Sequence, residues 1–120
     1  MTSSVNDAAA AMKARIRADL TAAMKAHRAS ETSLLRALLA ILDNAEAVPV
    51  GEARDGHVAR APGDPAVEAP RLVLSEPEVQ RLLQREAAER EAAAIELARL
   101  DQVEDAERLR WETAQIARYL

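Results

Sequence analysis

The chain has 120 residues, a formal charge of −4 and no cysteine. That length suits one domain with one modest core. The missing cysteines exclude disulfides, thiolate nucleophiles and Cys-ligated zinc, and the acid excess excludes a global field that would gather nucleic acid or anionic lipid.

Alanine fills 28 positions and leucine 14, while Trp111 and Tyr119 are the only aromatic residues. Both abundant residues lose little on entering a helix, and a sheet would want β-branched and aromatic side chains to pack. The fold class expected is therefore all-α. His27 and His57 are too few for a His-built metal site, so no metal and no cofactor are expected. No window approaches 18 uncharged apolar residues, which argues against a membrane span. The opening MTSSVNDAAA lacks the basic and apolar regions of a secretory signal. Residues 11–28 are basic and amphipathic like a transit peptide, but Asp19 and the continuing helical pattern favour folded structure. A cytoplasmic protein is expected.

In chain order, the first helix is expected over 6–28. Val5, Ala9, Met12, Ile16, Leu20 and Met24 form one stripe, with Asn6 or Asp7 capping the first turn. Lys13, Arg17, Lys25 and Arg28 are read as the opposite, solvated face, and they form the candidate nucleic-acid patch. The second helix is expected over 31–48, capped by Ser30 or Thr32. Its apolar side, Leu34, Leu35, Leu38, Leu39, Ile41 and Leu42, is wide enough to touch more than one neighbour. His27 is read as a partner for the carbonyls that end the first helix.

Residues 49–74 break the pattern. All three glycines and four of the five prolines fall there, so a long Pro/Gly-rich loop is expected, mobile over 49–70 and carrying His57 exposed. RLVL at 71–74 has the character of a short extended piece. Ser75 and Glu78 then spell a reciprocal capping box for a third helix over 76–100. DQVE at 101–104 suggests a second box, which divides the remaining charged region and starts a fourth helix over 102–119; one unbroken helix is the alternative. The expected architecture is a small four-helix bundle with a long loop between helices 2 and 3. Its core is expected to comprise Ile16, Leu20, Leu35, Leu38, Leu39, Leu42, Val79, Leu83 and Leu97.

The blocks RIRADLTAAMKAH (15–27), SLLRALLAILDNAE (33–46), LSEPEVQRLLQREAAER (74–90) and EDAERLRWETAQIARYL (104–120) stand in an order that resembles the YqeY family, the GatB/YqeY-like proteins. The resemblance covers most of the chain outside 1–10 and 49–73 and implies a single amino-terminal helical domain over 1–120. It also implies a link to tRNA-dependent amidotransferases and carbon–nitrogen ligase activity with glutamine as amido-N-donor. Two departures temper that implication. The family joins its second and third helices by a short turn, and its Tyr-Leu-Pro boundary leads into a carboxy-terminal module like the tail of the amidotransferase B subunit, whereas this sequence stops at Tyr119-Leu120.

No residue pattern supplies the chemistry of glutamine hydrolysis, which needs an activated nucleophile and oxyanion donors. Ser30, Thr32, Ser33 and Ser75 sit where caps are expected, the glycines lack a phosphate-cradling spacing, and Glu86 reads as the surface partner of Arg90. No catalytic residue is assigned. The functional expectation is a non-catalytic interaction module, accessory to amidotransferase biology through a protein partner, with Trp111 as bundle packing or interface anchor. Surplus apolar surface on the second helix leaves open a protein partner or a homodimer as its cover. Residues 75–120 carry seven basic and eleven acidic residues, so tRNA binding is expected to be weak or absent.

Overall fold

A computed structural model describes residues 7–47 and 71–120. They form four helices, α1 (Ala8–Lys25), α2 (Ala29–Glu46), α3 (Glu76–Arg99) and α4 (Val103–Ala117), and the fold is all-α. The expected loop over 49–70, with His57, lies outside the described residues, as do Val5 and Asn6.

Each helix start has a local cause. Asp7 caps α1, its Oδ1 accepting from the Ala10 N–H at 3.0 Å. At α3 the capping box forms in full: Ser75 Oγ accepts the Glu78 N–H at 3.2 Å, and Glu78 Oε1 accepts the Ser75 N–H at 2.8 Å. The backbone hydrogen bond from Ser75 holds the Glu78 carboxyl below the usual glutamate range.

The other two starts overturn the expected caps, for one shared reason. α1 ends in a Schellman turn: His27 takes a left-handed backbone (φ 58°) and donates to Met24 O at 3.1 Å, and Arg28 N–H reaches back to Ala23 O at 2.9 Å. α3 ends in the same way, with Asp101 at φ 61°, its N–H on Ala98 O at 3.1 Å and Gln102 N–H on Leu97 O at 2.9 Å. In both hairpins the residue after the left-handed position is already the N-cap of the next helix. Arg28 and Gln102 hold those positions without a side-chain cap bond. Ser30 and Thr32 therefore fall inside the first turn of α2, and the box expected over 101–104 does not form. The division of the long charged region at Asp101 stands, and the unbroken helix is excluded. His27 acts through its backbone, with its ring exposed.

The core joins Ile16 of α1, Leu34, Leu35, Leu38 and Leu42 of α2, Val79 and Leu83 of α3, and Ile116 and Tyr119 at the end of α4. Leu20 and Leu39 pack partly buried against it, while Leu97 is half-buried outside the main cluster. Leu74 is buried at the entrance to α3, but RLVL is irregular rather than extended strand, and Leu72 and Val73 are exposed. The breadth of the α2 apolar side is accounted for, because α2 packs on both α1 and α3. None of the exposed large hydrophobic residues belongs to α2, so the surplus surface expected there is absent. Exposed apolar side chains gather instead at residues 72–73 and around the α3–α4 turn.

Candidate functional site

Lys13 does not lie on a solvated face. It sits four residues after Ala9 and three before Ile16, so helical geometry turns it toward α2, and it is 8% exposed. Its Nζ donates to Glu46 Oε1 at 2.5 Å and to Asp43 Oδ1 at 2.9 Å. Burial alone would lower the Lys13 pKa. The hydrogen bonds and charges of Glu46 and Asp43 outweigh that effect and raise it above the ordinary lysine value. Glu46 is a node in its own right. Its carboxylate also meets Arg71 Nη1 at 3.2 Å, and its carbonyl accepts the Leu72 N–H at 2.7 Å, joining the end of α2 to the approach to α3.

Two further polar clusters bridge the helices. Arg90 on α3 donates Nη1 to Glu86 Oε1 at 2.7 Å and Nε to Glu112 Oε1 of α4 at 2.8 Å. Desolvation opposes the Arg90 charge, and the two carboxylates more than offset it, so its pKa is raised. The expected Glu86–Arg90 pair is thus one arm of a clamp between α3 and α4. At the end of α4 the Tyr119 hydroxyl donates to Asp19 of α1, and the Arg15 guanidinium stands 4.8 Å from the Tyr119 ring centroid. Arg15 Nη2 also donates to Arg118 O at 2.6 Å. Burial, then the bond to Asp19, push the Tyr119 hydroxyl pKa well above the ordinary tyrosine value.

The candidate nucleic-acid patch is therefore reduced. Arg17, Lys25 and Arg28 remain exposed, Arg28 pairs with Glu31 at 3.3 Å, and Lys13 is committed to the helix interface. Trp111 packs partly buried against the core. Among the described residues there is no group of three or more His, Cys, Asp or Glu side chains that could hold a metal ion. No described helix is long and apolar enough to cross a membrane.

Sequence reasoning missed the roles of Lys13, Asp19, Arg15 and Tyr119. The stripe position of Lys13 between Ala9 and Ile16 was a usable signal, as was the three-residue spacing of Asp43 and Glu46. Asp19 and Tyr119 lie 100 positions apart, and no local pattern joins them. No family model, no curated protein and no solved structure matches this chain.

Proposed function

We propose that this chain is a non-catalytic helical interaction module, tied to tRNA-dependent amidotransferase biology through a protein partner, as its resemblance to YqeY proteins implies. The observation that carries this reading is how the interior polar groups are used. Lys13, Asp43 and Glu46 satisfy one another between α1 and α2, Arg90 with Glu86 and Glu112 joins α3 to α4, and Tyr119 with Asp19 and Arg15 ties α4 to α1. A catalytic acid or base must keep hydrogen-bonding capacity for a substrate, and a nucleophile needs a base beside it. These groups spend theirs on holding helices together, and the hydroxyl of Ser75 spends its own on the α3 cap.

Incubating the purified chain with glutamine, ATP and aminoacyl-tRNA tests the reading. Amide transfer no faster than the protein-free control is expected. Transfer that depends on this chain overturns it.

A further inference from the structure

The outer side of α3 holds two features that complement each other. Near its start lies a groove of about 620 Å³ whose floor includes Ala45, Leu74 and Leu82 and whose rim carries Arg81 and Arg85. Glu78 also lines it, but that carboxylate already accepts the Ser75 N–H, so the arginines set the sign of the rim. At the far end of α3 the turn into α4 is apolar and acidic. Leu100 is 63% exposed, Val103 55% and Ile95 44%, and Glu96, Asp101 and Glu104 are exposed around them. Five of the seven exposed large hydrophobic residues among the described residues lie at this tip or at Leu72 and Val73, next to Leu74 of the groove.

Leu82, Arg85, Glu89, Ala92, Glu96 and Leu100 follow one another at three- and four-residue steps, so groove and tip share one side of α3. We propose that this side pairs with the same side of a second copy, antiparallel about a two-fold axis, each tip seated in the other copy's groove. Setting Leu82 against Leu100 of the second copy brings Arg85 to its Glu96 and places Arg81 between its Asp101 and Arg99, with Ala92 letting the helices approach near the axis. The two-fold repeats every pair, so both grooves are filled and the assembly closes. Two surface pairs must open, Arg85 with Glu89 at 3.6 Å and Glu96 with Arg99 at 3.7 Å, and the released Glu89 side chains flank the axis as a like-charge pair; all four side chains are more than 60% exposed, so solvent screens them. Such loose surface pairs exchange partners at small cost. A single helix pair buries roughly 1,000 Å² in total, the lower edge of specific interfaces, so a weak dimer is expected, its affinity set by the quality of the contacts rather than by the area.

This dimer deepens the interaction-module reading and rests on it. Sedimentation equilibrium of the full chain from about 1 to 300 µM is the test, with circular dichroism confirming unchanged helix content. Concentration-dependent dimerisation is expected. Arg85→Glu alone and Glu96→Arg alone should each weaken it by about tenfold or more, and the two together should restore it, because the swapped charges meet again across the axis. A monomer throughout that range overturns the dimer while leaving amide transfer as the separate test of function. A dimer indifferent to both single reversals, or not rescued by the double one, overturns the proposed face.

Discussion

Replacing Lys13 with methionine removes a cation from the α1–α2 interface while keeping a side chain of similar length. Glu46 is left 5% exposed, without its 2.5 Å partner. Breaking a buried pair by deleting one member costs about 3–5 kcal/mol when the remaining charge is fully stranded. Two features reduce that here. Asp43 has a side chain 49% exposed and stays hydrated, and Arg71 still reaches Glu46 from a largely solvent-exposed position. The expected loss is about 2–3 kcal/mol in urea unfolding followed by circular dichroism, with the denaturant slope unchanged. Adding Glu46→Gln removes the stranded charge and should recover about 1 kcal/mol, a coupling typical of residues in direct contact. A Lys13→Met loss below about 0.5 kcal/mol, or no recovery in the double variant, would refute the buried node.

Leu38 is fully buried, so Leu38→Ala should cost about 2–5 kcal/mol in the same unfolding assay; a cost under about 0.5 kcal/mol would place it outside the core. His27 and Asp101 hold left-handed backbones that glycine adopts without a Cβ clash, so His27→Gly should stabilise by about 0.5–1 kcal/mol, and a loss of stability would contradict the Schellman turn. Lys13 and Tyr119 both have native pKa values raised above their ordinary 10.5 and 10.0, so their contributions are full below those values and are lost as pH rises through the raised native ones. Unfolding free energy should therefore fall from about pH 10 upward, less steeply in Tyr119→Phe; a flat profile to about pH 12 would contradict both assignments. With Lys13 withdrawn, Arg17, Lys25 and Arg28 offer at most three phosphate contacts, so any tRNA binding should be no tighter than about 10 µM at physiological salt and weaken about 40-fold between roughly 50 and 200 mM. Submicromolar anisotropy at the upper salt value would restore the patch.

The parts of the fold legible in the sequence are those governed by neighbours a few residues apart. Ser75 and Glu78 announce α3 because a capping box needs only its own four residues, and the leucines of α2 announce a buried side because helical spacing repeats. The positions of the hairpin turns are legible in the sequence, but their caps are not. Their geometry is set by the C-terminus of the preceding helix, and neither His27 nor Asp101 carries the glycine that usually marks a left-handed cap. The charge of Lys13 suggests a solvated face, but its register with Ala9 and Ile16 points it inward, where it is 8% exposed. The Asp19–Tyr119 bond depends on how two hairpins dock, which no periodicity within either one encodes.

Glutamine-dependent amide transfer, measured side by side on the unaltered chain and on the Lys13→Met, Glu46→Gln double variant, tests most directly whether the interior polar groups serve structure rather than chemistry. No transfer above the protein-free control is expected from either chain, with the two differing only in unfolding free energy. Transfer by the unaltered chain that disappears in a double variant still folded by circular dichroism would contradict it.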